Sequence, residues 1–331
     1  VTGPTKLGEL FVLDRATGER LTEVTERDVP QTDLPEERTS PTQPFSTGMP
    51  SFAYPHLTEA DLFGFSPFDQ MACRKTFHEL RYEGPMTPPS IEGTLLYPGP
   101  AGGMNWGSVA VDEERQLMVV NNMQLAFVIH IIPREEDLID SKEGFSPGYG
   151  IGGPQRGTPF AARVGLFASP LGLPCLKPPY GEIAVVDLTT QQIVWRRGMS
   201  KPNNGFPSTA GSFITAGDLI FNGGVMDGRL RAIDPLTGEQ IWQKQVYSGP
   251  MAKIHKDNSY ASATPACDGK RIFFPYQTNK EIRLLCLTLD GKLVWHKSLS
   301  PYTSIQGFSA SPILSNSVLL VPTDGTYHYK F

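Results

Sequence analysis

Long apolar runs are missing from this chain. Nowhere in its 331 residues is there a stretch approaching the roughly 20 apolar residues that a membrane-spanning helix needs. The first residues carry neither the basic nor the apolar region of a signal peptide, so any targeting information is expected to lie outside the sequence. Runs of basic charge are missing too: 29 Lys and Arg stand against 34 Asp and Glu, a formal net charge of −5. That removes the electrostatic footprint of a nucleic-acid binder or of a basic helix lying on a membrane, and neither partner is expected. Cysteine is scarce. Cys73, Cys175, Cys267 and Cys286 are far apart and form no C-x-x-C pair, which argues against the common zinc arrangements and leaves buried thiols or one or two disulfides. The six histidines show no i, i+4 ligand pair, so the sequence assigns no metal ligand.

Present instead is one phrase used four times. A short β-branched or aliphatic run leads into a turn with Asp, Thr or Gly and closes on an apolar pair: Ile183 to Trp195, Leu230 to Trp242, Leu284 to Trp295 and, without the tryptophan, Leu10 to Leu21. Each copy reads as strand, tight turn, strand, the signature of an antiparallel hairpin. The three tryptophans recur about 50 residues apart, close to the roughly 40–50 residues of a four-stranded propeller blade. One twisted sheet cannot bury both faces alone, so successive blades must cover each other, with the tryptophan wedged between them. A hydrophobic content of 39% can bury a large core, and the 33 glycines and 30 prolines are spread among turns without a fibrous period. The fold expected is all-β: a β-propeller of four-stranded antiparallel blades, in one domain over residues 1–331, with two long loop inserts.

Residues 1–22 read as the end of a blade, with Leu10–Leu13 a strand and Asp14–Gly18 its turn. The first insert, 23–90, is polar and proline-rich, with a helix-like piece near Leu57–Phe63; the second, 131–180, is rich in glycine and proline around 144–157. Loops of that length mark functional or interface-covering segments. Between and after them the strands return, at Gly93–Tyr97, Trp106–Val111, Leu117–Val120, Phe213–Asn222, Arg271–Pro275 and Val318–Pro322. The second insert also carries Gly148-Tyr-Gly-Ile-Gly-Gly153 and Gly144-Phe-Ser-Pro-Gly148. Neither has the strand-to-helix setting that a dinucleotide site or a nucleophile elbow requires, and a glycine-rich loop is the plainer reading. Asp61 and Asp69 are candidate paired carboxylates, but helix capping or turn formation fits each better.

The order of blades and inserts, and the residues within them, resemble the pyrroloquinoline quinone (PQQ) dependent dehydrogenases, in particular the membrane-bound glucose and quinate or shikimate dehydrogenase group. The resemblance runs over residues 1–248 and rests on Lys6-Leu-Gly-Glu-Leu-Phe-Val-Leu-Asp-Arg15, Ser40-Pro-Thr-Gln-Pro-Phe45, Phe68-Asp-Gln-Met-Ala-Cys-Arg74, Asn105-Trp-Gly107, Ser169-Pro-Leu-Gly-Leu-Pro-Cys175 and Asp227-Gly-Arg-Leu-Arg-Ala232. It implies an eight-bladed propeller, relative to which this chain is incomplete, with PQQ at the channel mouth beside a calcium ion. It also implies a periplasmic enzyme that oxidises a sugar or cyclic polyol and passes electrons to a quinone. Lys6 stands where the family has the lysine beside the quinone oxygens; read alone it is a solvated surface residue. Asn105 and Trp106 match an Asn-Trp pair near the cofactor, with an inter-blade tryptophan as the alternative. Asn121 and Asp227 fall on the cofactor side of the family's blades, or are turn residues.

Two departures qualify the resemblance. The family's calcium ligands, catalytic Asp and cofactor-flooring tryptophan precede the lysine phrase, so no catalytic or metal residue is assigned here and little or no turnover is expected of this chain alone. From about residue 253 the sequence resembles a separate group of PQQ-like repeat propellers instead of the family's closing phrase, which sets 249–331 apart from 1–248. An incomplete propeller exposes strand edges, so a partner chain covering them is expected, and a non-catalytic binding or assembly scaffold is the alternative function.

Overall fold

In a computed structural model, the phrases Ile183–Trp195, Leu230–Trp242 and Leu284–Trp295 fold as the hairpins their alternation predicts, whereas in Leu10–Leu21 a single bridge, Leu13 to Arg20, closes the turn and the strand pairs instead with residues before it. The structure describes residues 1–35, 37–53, 56–105, 107–136, 151–154, 157–199, 205, 207–208, 210–223, 227–250, 263–302 and 307–323. The strands are β1 (Thr2–Pro4), β2 (Leu10–Val12), β3 (Val24–Asp28), β4 (Thr42–Ser46), β5 (Thr94–Leu96), β6 (Val109–Asp112), β7 (Leu117–Met123), β8 (Phe127–Pro133), β9 (Ile151–Pro154), β10 (Phe160–Leu166) and β11 (Gly181–Asp187). They continue with β12 (Gln192–Gly198), β13 (Ser212–Thr215), β14 (Leu219–Asn222), β15 (Arg229–Ile233), β16 (Gln240–Gln245), β17 (Ala266–Cys267), β18 (Arg271–Gln277), β19 (Glu281–Thr288), β20 (Leu293–Pro301), β21 (Ile313–Ser315) and β22 (Val318–Leu320). An α-helix, α1 (Pro67–Glu79), lies among them. The chain divides into two compact units, Val1–Gly103 with Gln124–Pro178, and Met104–Met123 with Pro179–Phe331.

In the first unit the strands β5-β8-β10-β9 form a four-stranded antiparallel sheet, and β1–β2 and β3–β4 form separate hairpins. Both stretches read as inserts therefore contain structure of their own. The polar 23–90 stretch holds the β3–β4 hairpin and α1, while 131–180 supplies β9 and β10 to the sheet. The helix-like piece near Leu57–Phe63 is a short 3-10 turn, Glu59–Asp61, and the true helix begins six residues later. Helix α1 starts where its caps dictate: Ser66 Oγ accepts from Asp69 N at 3.2 Å, Pro67 occupies the first turn, and Asp69 Oδ2 accepts from Phe65 N at 3.0 Å. Its apolar residues escape a simple helical stripe because Phe68 and Met71 are exposed. Cys73 of α1 is joined to Cys175 by a disulfide, within a core that includes Leu57, Leu62, Leu95 and Phe167. The sequence left that pairing open; Cys267 and Cys286 are free thiols.

In the second unit three antiparallel sheets of four strands follow one another, β12-β11-β7-β6, β13-β14-β15-β16 and β17-β18-β19-β20, followed by the β21–β22 hairpin. Burial grades across each sheet. Every residue of β7 is buried, as is all of β11 except Asp187, whereas the outermost strands β12, β16 and β20 are largely half-buried or exposed. Successive sheets pack face to face: Ile183 and Val185 of one meet Ile220 and Ile233 of the next, and Phe221 and Leu230 of that one meet Ile272 and Phe274 of the third. Each fully buried aliphatic or aromatic side chain contributes about 1.5–3 kcal/mol, so this stacking is the main stabilising feature of the unit.

The tryptophans lock the stack. Trp195 Nε1 donates to the carbonyl of Pro235 at 2.8 Å and its ring covers Gly238, where a Cβ would come within 2.7 Å of the indole. Trp242 Nε1 donates to Leu289 O at 2.9 Å over Gly291 in the same manner. Two residues beyond each tryptophan a cation completes the clamp: Arg197 donates to the carbonyl of Gly238, and Lys244 to that of Gly291 at 2.9 Å. Both glycines adopt positive φ, +70° and +80°, so each turn needs glycine for its backbone as well as for the ring above it.

Candidate functional site

Lys6 sits at the tip of the turn joining β1 to β2. Gly8 N donates to Thr5 O and Thr5 N to Glu9 O, both at 3.0 Å, and Thr5 Oγ1 accepts from Glu9 N at 3.1 Å. A second loop grips the turn: Gly103 N donates to Lys6 O at 2.6 Å, and Gly102 passes so close that a Cβ there would come within 2.6 Å of Lys6 Cγ. The Lys6 ammonium donates to Pro100 O at 2.9 Å while the residue stays exposed. An ammonium has three donors, so an anchored Lys6 still offers protons to a negatively charged oxygen. Beside the turn lies a cavity of about 610 Å³ lined by Leu7, Glu9, Arg27, Asp28, Phe45 and Tyr97 among others. The buried Glu9 carboxylate accepts from Ser51 Oγ there at 2.8 Å.

Three other sequence-predicted residues belong to the second unit. Asn105 opens a tight turn in which Ser108 N donates to Asn105 O at 2.8 Å. The next described residue, Gly107, is pressed against the carbonyl of Ala210 and the amide of Asn121, at 2.7 and 3.2 Å from where its Cβ would be. Asn121, buried near the end of β7, donates from Nδ2 to Ala210 O at 2.6 Å and accepts at Oδ1 from Ser212 Oγ at 2.9 Å and Asn222 Nδ2 at 3.4 Å. Asp227 lies in the turn before β15, where its carboxylate accepts from Arg229 N and is paired with the buried guanidinium of Arg231. Asn222 and Arg231 are cross-strand neighbours, which sets the hydrogen-bonded group Asn121, Ser212 and Asn222 beside the Asp227–Arg231 pair at one end of two sheets. Sequence reasoning singled out Asn121 and Asp227 and missed the other three. The signal available was Asn222 closing an apolar strand, as Asn121 nearly does.

Several candidates resolve otherwise. Trp106 and the glycine motifs of 144–150 lie outside the described residues. Asp61 Oδ2 accepts from Thr58 N at 2.8 Å, and both Asp61 and Asp69 act as local caps, the role their sequence context favours. Burial pushes the Cys267 and Cys286 thiols above their ordinary value of 9.0, which leaves neither poised as a nucleophile. Among the described residues no group of three or more His, Cys, Asp or Glu is arranged to hold a metal, and no helix is long and apolar enough to cross a membrane.

A family model described as the beta-propeller domain of glucose/ethanol/alcohol dehydrogenases, the PQQ family, matches residues 1–260. The chain belongs to the PQQ-dependent dehydrogenase family. Its four-stranded antiparallel sheets are accordingly β-propeller blades. The chain is 38% identical over 262 residues to a probable quinate dehydrogenase (quinone) of Xanthomonas campestris pv. juglandis, covering 74% of this chain and 33% of that one. It is also 38% identical over 271 residues to the quinoprotein glucose dehydrogenase of Escherichia coli K12, covering 76% and 34%. A solved structure, the quinohemoprotein alcohol dehydrogenase of Comamonas testosteroni, shares 17% identity over 87% of this chain and 31% of that one, with a TM-score of 0.42. The chain thus spans about a third of the length of the relatives it matches. Lys6 presents an exposed ammonium anchored to Pro100 O. Asn121 has both amide atoms committed to neighbouring backbone and side chains, and the Asp227 carboxylate is turned to Arg231.

Proposed function

We propose that this chain is part of a PQQ-dependent dehydrogenase that oxidises a sugar or cyclic polyol of the glucose, quinate or shikimate type and passes electrons to a quinone, with the chemistry on the periplasmic side. The observation that carries the proposal is Lys6: an exposed ammonium held by Pro100 O at 2.9 Å on a turn gripped by a glycine loop, inside a family-specific phrase. Bound PQQ supplies the two-electron acceptor for the hydride that leaves the alcohol carbon. Lys6 stabilises the negative charge that develops on a quinone oxygen, as a preorganised cation does for any oxyanion. Asn105 and Trp106 contribute to the cofactor wall. Asn121 and Asp227 act on the cofactor side of the blades by fixing the ends of β7 and β15. The calcium expected of the family would polarise a quinone carbonyl, and no residue assigned here would hold it. The alcohol proton goes to a base that no residue assigned here supplies, so this chain alone has little or no turnover. A partner polypeptide covers the open blade edges.

A second reading is a non-catalytic propeller used as a binding or assembly scaffold. One experiment separates the two. PQQ and calcium are added to the chain, PQQ binding is titrated by its absorbance change, and dye reduction is followed with glucose, quinate and shikimate. The proposal expects saturable PQQ binding that Lys6→Ala weakens at least about tenfold, the size of a charge-assisted contact, and negligible dye reduction. Appreciable turnover would overturn the inactivity; absence of PQQ binding, with Lys6→Ala unchanged in every property, would establish the scaffold reading.

A further inference from the structure

The cavity of about 610 Å³ beside the β1–β2 turn brings together opposite charges from different elements, and all of its lining belongs to the first unit. Glu9 supplies one charge. It is only 8% exposed and is held from several sides: its N–H donates to Thr5 Oγ1 at 3.1 Å, its carbonyl accepts from Thr5 N at 3.0 Å, and Oε1 accepts from Ser51 Oγ at 2.8 Å. Ala53 N donates in turn to Ser51 Oγ at 3.3 Å, which fixes the hydroxyl that serves the carboxylate. The other oxygen, Oε2, accepts from no donor among the described residues, and no cation there pairs with Glu9. A buried carboxylate engaged on one oxygen has acceptor sites left for a donor that a ligand brings.

Arg27 of β3 supplies the opposite charge. Its guanidinium lies 5.2 Å from the centroid of the Phe45 ring, a diagonal neighbour on the paired strand β4, and makes no ion pair or hydrogen bond among the described residues. The ring fixes the planar group while its N–H donors stay available, the arrangement that suits a two-point grip on a carboxylate. Of the two further carboxylates in the lining, Glu83 is engaged by Arg81, whereas exposed Asp28 has no ion pair among the described residues. Tyr97 and Pro98 add apolar rings, and the volume falls in the range of about 300–1,000 Å³ common to small-molecule sites.

The uncommitted groups are therefore two carboxylates and one guanidinium, and they discriminate among ligands. A bare anion is repelled by Glu9 and Asp28. A neutral polyol satisfies those carboxylates but brings Arg27 no anion. The matching ligand carries one carboxylate and several hydroxyl donors. We propose that this cavity binds a cyclic hydroxy acid, with its carboxylate on Arg27, its hydroxyls on Glu9 and Asp28, and its ring against Tyr97 and Pro98. The inference rests on the proposed function for the choice of a ring and deepens it: of the glucose, quinate and shikimate types it selects the carboxylated ones.

Isothermal titration calorimetry on the full chain, without PQQ or calcium, tests this with quinate, glucose, cyclohexanecarboxylate and serine. Quinate binds saturably and at least about tenfold more tightly than the others, the size of one charge-assisted contact, because glucose lacks the carboxylate, cyclohexanecarboxylate the hydroxyls and serine the ring. Arg27→Gln keeps an N–H donor without the charge, so quinate falls to the affinity of glucose while glucose itself is unchanged. Arg27 has no ion pair to lose, and the thermal midpoint of this variant stays at that of the wild type. Glu9→Gln, of the same shape, weakens quinate and glucose by the same factor. Quinate bound no more tightly than glucose, serine bound more tightly than quinate, or wild-type quinate affinity in Arg27→Gln overturns the proposal. PQQ enters none of these titrations, so failure here leaves the Lys6 reading standing, and a chain that binds no PQQ still binds quinate if the cavity is the site.

Discussion

Replacing Gly238 with alanine and, separately, Gly269 with alanine separates the tryptophan clamp from the backbone strain of its turn. Both glycines lie in the second unit with positive φ, +70° and +85°. An alanine held in the left-handed region costs about 1–2 kcal/mol, and both variants bear that cost. They differ in what the new methyl meets. At Gly269 nothing lies within 4 Å; at Gly238 the Trp195 indole is 2.7 Å away, too close for any carbon, and the ring is tied by its own N–H to Pro235. Displacing a packed ring by one methyl costs about 1–3 kcal/mol more. Gly238→Ala is therefore destabilising by about 1–3 kcal/mol beyond Gly269→Ala. Urea unfolding followed by tryptophan emission reads this difference, because all four tryptophans belong to the second unit. Equal midpoints for the two variants, or a lower one for Gly269→Ala, would refute the clamp as a stabilising contact.

Reduction of the Cys73–Cys175 disulfide, which closes a loop of 102 residues, lowers the stability of the first unit by about 4–5 kcal/mol, to be measured as a drop in its thermal midpoint under reductant; an unmoved midpoint counts against it. The carboxylates of Asp14, Asp187 and Asp234 lie below their ordinary 3.8, for Asp14 through Thr17 and Ala16, for Asp187 through Thr190 and Thr189, and for Asp234 through Thr237, whose backbone N–H groups donate to the charged form. A depressed folded value means stability present above pH 3.8 and lost as the pH falls through the folded values, so Asp234→Asn, which keeps the acceptor oxygen, flattens the acid limb of urea midpoint against pH; an unaltered limb would count against the assignment. Asn121→Ala strands the Ala210 carbonyl and Gln277→Ala strands the Phe308 N–H, each by about 1–3 kcal/mol. If Asn121 also acts on the cofactor side, its variant weakens PQQ binding beyond whatever Gln277→Ala does, which a titration of the two side by side decides.

The hairpins were legible because their signals are local. Alternation, Asp-x-x-Thr-Gly turns and a closing tryptophan fall within thirteen residues of one another, and the turn bonds at Asp14 and Asp234 are made between residues no more than five apart. The two inserts were legible only as length and composition. Helix α1 begins at Ser66-Pro67 but exposes Phe68 and Met71, so the apolar period that announces a packed helix is weak. Strand β10, Phe160–Leu166, holds two alanines and a glycine and draws its place from β8, to which it pairs along its whole length. Partners so remote in sequence leave little trace in either segment. The Cys73–Cys175 pairing depends on the same long-range packing, which is why spacing alone left it undecided.

Polar groups at strand ends explain why the candidate site was only partly visible. Asn121, Asn222 and Gln277 each fall at or near the end of the second strand of their sheet, and two of them reach backbone before the first strand of the following sheet: Asn121 Nδ2 donates to Ala210 O, and Gln277 Oε1 accepts from Phe308 N. An amide can donate to a carbonyl in one blade and accept from an N–H in another, so it tolerates differences in loop conformation that a carboxylate or an ammonium would not. A buried amide at these strand ends is thus demanded by blade assembly whether or not a ligand lies there. The same logic applies to Asp227, whose carboxylate neutralises a buried guanidinium, a pairing that any fold must make once Arg231 is enclosed. Lys6 is the exception. Its exposed ammonium neutralises no buried charge, and its bond to the carbonyl of Pro100 holds a flexible cation at a fixed place on a rigid turn. A cation fixed in that way at the surface gains little for the stability of the fold and is suited to an anionic ligand, so the weight of the proposed function rests on Lys6 and not on the amides.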